Sequence, residues 1–188
     1  MHLLRFEIKR RLLYLAFGIA AFLIAFYIGA VIPLTERDAQ EVRKQFSEQI
    51  KDIDQNGIFL NNARIALGMF IPAIGAAFGI FTGFSTGTVL SASINGSSAF
   101  KGTSPILISI ITWIMPYALM EVFSYGLAIS RSSMLIYQLL KKKPWREYVI
   151  PTLIELGIVS IVLFVAAIIE WQMIQQLGGI RTSTIIGR

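Results

Sequence analysis

The stretch GAAFGIFTGFSTG, from Gly75 to Gly87, places a glycine at every fourth position inside a long apolar segment. Glycine in the interior of a soluble helix costs about 1 kcal/mol relative to alanine. In lipid, where no hydrophobic force draws helices together, small residues at this spacing let two helix backbones approach closely. We therefore predict that Gly75 and Gly79 lie in a contact between transmembrane helices, mostly within this chain.

The apolar segment that contains these glycines covers residues 58–100 and is too long for one membrane crossing. About 20 residues are enough to span the hydrocarbon core of a bilayer. The simplest division is a helix over about 58–80, a cytoplasmic turn at Gly83 and Gly87, and a return helix over about 84–99.

The rest of the chain contains three further apolar blocks, each long enough to cross a bilayer at 1.5 Å per residue. The first covers about 12–33, contains no charged residue and follows a cluster of basic residues. The other two cover about 105–130 and 148–171, on either side of a second basic cluster. Since basic clusters mark the cytoplasmic side, we predict a cytoplasmic N-terminus and about five crossings.

Between the first two predicted spans, residues 36–54 form a polar segment with an apolar stripe. The apolar residues recur at spacings of three and four: Ala39, Val42, Phe46, Ile50 and Ile53. This pattern predicts an amphipathic extracytoplasmic helix that lies on the membrane, on a partner or on the chain's own bundle. Thr35 followed by Asp38 resembles a capping box at its start.

The composition leaves no room for a separate soluble domain, because 55% of the 188 residues are hydrophobic and 15% are charged. We predict one all-α integral membrane domain over residues 1–188, a polytopic helix bundle of the cell membrane. An alternative topology makes 58–100 one long, broken helix and folds 105–137 as a re-entrant hairpin around Pro116. The net charge of +6 comes from clusters that flank apolar blocks, so it indicates topology rather than nucleic-acid binding.

The residue types required for catalysis or metal binding are scarce. The sequence has no cysteine, and its one histidine is His2. Disulfides, thiolate chemistry and metal centres built from cysteine or histidine are therefore excluded or very unfavourable. We expect no metal, no cofactor and no enzymatic activity.

Four ionisable residues, Arg64, Glu121, Arg131 and Glu155, lie within predicted spans or at their ends, and Glu170 lies near the outer end of the last span. A charge at the bilayer centre costs about 2.5–3.5 kcal/mol. Arg64 and Glu170 share an outer depth, and Arg131 and Glu155 share an inner depth. Each pair is placed to form an ion pair that fixes which helices are neighbours. Glu121 lies near mid-membrane without a basic residue at its depth. It is either protonated, as a proton-coupled role would require, or satisfied by hydroxyl or amide donors.

Four short segments together carry a resemblance to a known family. They are FLNNARIAL (59–67) with Asn61 and Asn62, INGSSAF (94–100) with the turn residues Asn95 and Gly96, MPYALMEV (115–122) with Pro116, Tyr117 and Glu121, and AAIIE (166–170) with Glu170. In this order they resemble the Asn-rich start, the Asn-Gly turn, the Pro-His-x-x-x-Glu segment and the Ala-Ala-x-x-Glu close of the stage II sporulation protein M family. Tyr117 stands where that family has histidine.

This resemblance implies a five-span, non-enzymatic membrane scaffold, which in spore-forming bacteria recruits peptidoglycan-degrading partners during engulfment. The expected partners are the lipid bilayer and other membrane-protein subunits. Because Tyr117 replaces the histidine, no role that needs a titrating imidazole carries over. The opening LLRFEIKRR (3–11) also resembles permease subunits of ABC-2-type exporters. That weaker resemblance implies a cytoplasmic ATPase that docks on residues 131–147.

Overall fold

The computed structural model describes the backbone of residues 2–51, 53–97, 100 and 102–186, and the side chains of 8–51, 53–97, 100 and 102–176. Over this part the chain is entirely helical apart from its connections, so the predicted all-α fold is confirmed. The helices are α1 (His2–Val31), α2 (Glu36–Gln49), α3 (Gln55–Met69), α4 (Ile74–Asn95), α5 (Pro105–Ile114), α6 (Pro116–Leu140) and α7 (Arg146–Ile186).

Three segments among the described residues are long and apolar enough to cross a membrane: Ile8–Val31, Ile74–Asn95 and Arg146–Gln176. The pair α5 and α6 makes a fourth if it counts as one bent span. Helix α3 has 15 residues, fewer than the roughly 20 that a crossing usually needs. Length and composition therefore support a membrane protein, and the count of five crossings stays a prediction.

Helices α1 and α4 run parallel to each other and touch through backbone. Gly83 of α4 lies against the carbonyl of Phe22, and Gly87, one turn later, lies against the carbonyl of Phe26. The contacts advance along both helices in the same direction. Such close approach is possible because neither glycine carries a Cβ.

Helix α6 runs antiparallel to α1. The rings of Phe22 and Tyr125 lie 5.3 Å apart. Three turns earlier on α1, Arg11 reaches Ser130, which is further along α6. The side chains of Phe22, Met69, Ile129 and Leu163 are fully buried and form the centre of the core between α1, α3, α6 and α7.

The directions of α3 and α7 follow from the short connections that join α3 to α4 and α6 to α7, because the helices of each pair pack side by side. Residues 70–73 join α3 to α4, and residues 141–145 join α6 to α7. Helices α1, α3, α4, α6 and α7 therefore alternate in direction along the chain.

The chain reverses between Phe70 and Ala73, and the turn predicted at Gly83 and Gly87 is wrong. Pro72 has no backbone N–H and disfavours a helical conformation for the residue before it. Ala73 then adopts a positive φ of 67°. The predicted spans 58–80 and 84–99 are accordingly replaced by α3, which ends at Met69, and by one unbroken α4.

A second break divides the predicted span 105–130. Pro116 is the first residue of α6, and Met115 before it is extended, with φ −67° and ψ 133°. This is the conformation that a following proline favours. The axes of α5 and α6 are bent by 92°. The break lies at the proline, where the alternative topology placed it, but it forms a corner rather than a hairpin.

Helix α2 is amphipathic, as predicted, but it ends at Gln49 and not near residue 54. The Oγ1 of Thr35 accepts the backbone N–H of Asp38 at 3.2 Å, and its hydroxyl donates to the Asp38 carboxylate at 2.7 Å. This local cap starts the helix. Of the predicted packing alternatives, α2 packs on the chain's own bundle, where Arg43 Nη1 donates to the Ala92 carbonyl at 2.9 Å.

Candidate functional site

The carboxylate of Glu155 joins three helices at one end of the bundle. From α1, Arg11 Nε donates to Oε1 and Arg11 Nη2 donates to Oε2, both at 2.6 Å. From α6, Arg131 Nε donates to Oε2 at 2.8 Å, and its Nη2 donates to Oε1. Both guanidinium groups thus bind the same carboxylate in a bidentate manner, the strongest hydrogen-bond geometry for this pair.

Two further acceptors satisfy Arg11. Its Nη1 donates to Ser130 Oγ at 2.6 Å, and its Nη2 makes a longer contact of 3.4 Å with the Leu127 carbonyl. The side chains of Arg11, Arg131 and Glu155, hereafter the inner ion cluster, are 20%, 4% and 12% exposed. The cluster carries one net positive charge within the bundle, and its hydrogen bonds are used to hold α1, α6 and α7 together.

The structure thus brings together Arg131 and Glu155, the pair predicted at the inner depth. It also adds Arg11, which sequence reasoning treated only as part of the basic flank of the first span. The sequence feature that could have revealed this role is the position of Arg11 one residue before the apolar block. A long arginine side chain at a span end can reach toward polar groups at another depth.

The second predicted ion pair does not form. Arg64 is exposed, and no ion pair joins it to Glu170 among the described residues. Residues two apart on a helix point to nearly opposite sides. Because Asn62 faces α6, Arg64 is turned away from the bundle.

Glu121 is held by an amide donor. Asn62 Nδ2 donates to Glu121 Oε1 at 2.6 Å. Asn61 Nδ2 lies 3.5 Å from Asn62 Oδ1, and Gln49 Nε2 donates to Asn61 Oδ1 at 3.1 Å. These four side chains, hereafter the amide chain, connect α2, α3 and α6.

Pro116 and Tyr117 are the other two residues of MPYALMEV on which the family resemblance rests, and they precede Glu121 on α6. Pro116 is exposed and begins α6. Tyr117 is partly buried and lies within electrostatic range of Glu121 and Glu170. The segment therefore sets the start of α6 and places Glu121 one and a half turns inside it.

The four glycines of the stretch GAAFGIFTGFSTG are all buried in helix contacts within the chain: Gly75, Gly79, Gly83 and Gly87. A Cβ on Gly75 would meet the Met69 carbonyl and Ser132 Oγ, and one on Gly79 would meet the Ile129 side chain at 2.3 Å. Gly83 and Gly87, in contrast, lie against α1. A four-residue repeat drifts around the helix, which explains why these four glycines face three neighbouring helices, α3, α6 and α1.

The predicted turn at Asn95 and Gly96 marks the end of α4. Asn95 is the last residue of the helix, and Gly96 caps it with φ −85°. A Cβ on Gly96 would lie 2.7 Å from Arg43, the residue that ties α2 to α4. In the part of the chain that the structure describes, no group of three or more His, Cys, Asp or Glu side chains is placed to hold a metal ion.

The comparisons with known proteins gave one match. Neither a search of curated proteins nor a search of solved structures found a similar protein. A family profile described as Stage II sporulation protein M matches residues 15–171. The match includes α2 to α6, two of the three residues of the inner ion cluster (Arg131 and Glu155) and the whole amide chain. The chain therefore belongs to the stage II sporulation protein M family.

Proposed function

We propose that this protein is a non-enzymatic integral membrane subunit that crosses the membrane five times and holds partner proteins at its extracytoplasmic face. Family membership supports a membrane protein of this type. The alternating directions of α1, α3, α4, α6 and α7 support five crossings, with the short α3 as one of them. The basic clusters before the first span and after α6 support a cytoplasmic N-terminus.

The observation that carries the scaffold proposal is the attachment of α2. This charged helix is fixed to the bundle at two points, by Arg43 to the Ala92 carbonyl at 2.9 Å and by Gln49 to Asn61 at 3.1 Å. A partner that binds a helix already held in place loses less conformational entropy than one that must order it. Helix α2 therefore suits a docking platform.

The outward face of α2 has the chemistry of a polar protein contact. It carries alternating charges at helical spacing, all exposed: Arg37, Glu41, Lys44 and Glu48. A complementary row of charges on a partner would fix its register on the helix and select against wrong partners. We assign the extracytoplasmic segment of another membrane-complex subunit to this face.

Photo-crosslinking from α2 tests the proposal. The full chain, with a photoreactive residue at Glu41, is crosslinked in its native membrane, purified in mild detergent and analysed by mass spectrometry. We expect a stoichiometric partner joined at position 41 and lost when Arg37, Lys44 and Glu48 are replaced by alanine in the chain that keeps the photoreactive residue. Matched replacement of Lys141 and Lys142 should leave that partner bound. Purification of the chain alone would overturn the scaffold proposal.

A second candidate is a permease subunit served by a cytoplasmic ATPase. The docking segment inferred for it, residues 131–147, is only partly available, because Arg131 and Ser132 are buried in the bundle. The C-terminal part of this segment is accessible to a partner, because Leu139, Leu140 and Trp145 are exposed beside three lysines. An ATPase that copurifies with the wild type, but is lost on replacing Lys141 and Lys142, would favour this candidate over the scaffold.

A further inference from the structure

The short helix α5 turns an apolar face away from the bundle. Five of its large side chains are between 43% and 69% exposed: Ile106, Leu107, Ile110, Ile111 and Ile114. Their spacing places all five on one side of the helix. No charged residue occurs between Gly102 and Met120, so neither α5 nor its flanks carry a charge. An exposed apolar surface of this size marks a contact with a membrane or with another protein.

The polar side chains of α5 are satisfied within the helix. Ser109 is fully buried, and its hydroxyl donates to the carbonyl of Ile106 at 2.7 Å. The hydroxyl of Thr112 donates to the carbonyl of Ile108 at 3.0 Å. Neither hydroxyl therefore needs water as a partner for its proton.

Backbone hydrogen bonds close both ends of α5. The N–H groups of Leu107 and Ile108 donate to the carbonyl of Ser104, at 3.0 and 3.2 Å. At the corner with α6, the N–H of Met115 donates to the carbonyl of Thr112 at 3.0 Å. Backbone groups in hydrocarbon need such internal partners, because no water is available to them. The ends of α5 therefore suit a position within lipid.

The position of α5 along the bundle follows from its contact with α1. The ring of Trp113 lies 4.8 Å from the ring of Phe26, which precedes the end of α1 at Val31 by five residues. At 1.5 Å per residue, this contact is about 8 Å below the outer end of α1. The axis of α5 is bent by 92° from the axis of α6, which runs antiparallel to α1. With α1 and α6 crossing the membrane as proposed above, α5 is parallel to the membrane plane at the level of the outer leaflet.

We propose that α5 is embedded in the outer leaflet and that acyl chains of this leaflet cover its exposed face. Acyl chains fit this face better than a protein partner does, because its side chains are all isoleucine or leucine and offer no polar group to set a partner's register. The embedded helix fixes the depth at which α6 begins. This proposal rests on the crossings of α1 and α6 in the proposed function and does not depend on the scaffold role.

Spin labels on single cysteines test this arrangement in the full chain, which has no cysteine of its own. Leu107→Cys, Ile111→Cys and Ile114→Cys are labelled separately and reconstituted in phosphatidylcholine and phosphatidylglycerol vesicles. Collision rates with oxygen, which concentrates in hydrocarbon, and with a water-soluble nickel chelate give the depth of each label. We expect oxygen to dominate at all three positions. Their depths should agree within about 3 Å, although the positions extend over about 10 Å of helix.

A matched series on α1 has the same spacing and similar exposure but runs across the membrane. Ile24→Cys, Ile28→Cys and Val31→Cys replace side chains that are 61%, 55% and 55% exposed. We expect the depths of the first and last label to differ by about 10 Å. The depths of the α5 labels should fall within this range, because Trp113 contacts Phe26.

Three results would overturn the embedded α5 while leaving the crossing of α1 intact. Access of the chelate to the α5 labels would place the helix in water, and a depth gradient equal to that on α1 would make it part of a crossing. Low collision rates with both reagents would show that protein covers the face, and dipolar broadening between labels would identify a second copy. A flat depth profile on α1 would remove the crossing itself and the α5 proposal with it. If a labelled variant is not monodisperse, Ile106→Cys and Ile110→Cys report on the same face and should give the same depth.

Discussion

Arg11 and Glu155 lie 144 positions apart in the sequence, yet their side chains form two hydrogen bonds of 2.6 Å. The contact joins the first helix of the chain to the last. Arg131 binds the same carboxylate from α6, so one acidic side chain fixes the arrangement of three helices. Glu155 thus joins α1, α6 and α7 at this end of the bundle.

Replacement of Glu155 by glutamine should destabilise the protein by about 3–5 kcal/mol, because it leaves two guanidinium groups within the bundle without their counter-ion. The measurement is unfolding in mild detergent with increasing dodecyl sulfate, followed by circular dichroism. The control is Glu147→Gln, which breaks the half-exposed pair with Lys143 and should cost less than about 1 kcal/mol. Equal losses in the two variants would contradict the role given to the inner ion cluster.

Gly87→Ala should separate α1 from α4. A Cβ at this position would lie 2.0 Å from the Phe26 carbonyl oxygen, and backbone cannot move aside as a flexible side chain can. We expect a loss of about 1–3 kcal/mol, the usual cost of overpacking. It is measured by the same unfolding assay.

Gly157 on α7 provides the matched control, because a Cβ there meets nothing within 4 Å. Gly157→Ala should be neutral or stabilising by up to about 1 kcal/mol. If Gly87→Ala were as well tolerated as Gly157→Ala, the close contact of α1 with α4 would be wrong.

Asn62→Ala should destabilise the protein by about 1–3 kcal/mol, since it leaves Glu121 Oε1 without its donor. Glu121→Gln keeps an oxygen at that place and should cost less. The pair of variants, compared by thermal unfolding in detergent, separates the two roles of Glu121. A Glu121→Gln protein that folds and assembles normally but loses a proton-coupled activity would indicate a proton-coupled role. Loss of assembly with other subunits would indicate a structural role.

Single cysteines should report the five crossings directly, because the chain has no cysteine of its own. A membrane-impermeant maleimide should label Lys44→Cys on α2 in intact cells. It should label Ile71→Cys, between α3 and α4, and Lys142→Cys only after permeabilisation. The parent chain without cysteine controls for background. Labelling of Ile71→Cys from outside would remove α3 as a crossing.

The sequence indicated the helical class and one of the two predicted ion pairs, but it misplaced one of the breaks. Long apolar blocks require helices in a membrane, where every backbone polar group needs an internal partner. Arg131 and Glu155 could be paired from depth alone. The reversal was misplaced because glycine marks both turns and close helix contacts, and the spacing in residues 75–87 fits either. Pro72 and Pro116, which impose the actual breaks, were available as local signals.

The sequence by itself determined the local structure of this protein and its family membership. The local structure comprises apolar helices, a capped amphipathic α2 and prolines that end helices. Only the tertiary structure decided which surfaces meet. Gly83 and Gly87 lie against α1, Asn62 faces Glu121, and Arg64 points away from the bundle. These outcomes depend on the rotation of each helix about its axis. Rotation is set by packing between residues far apart in the chain, and no local pattern specifies it.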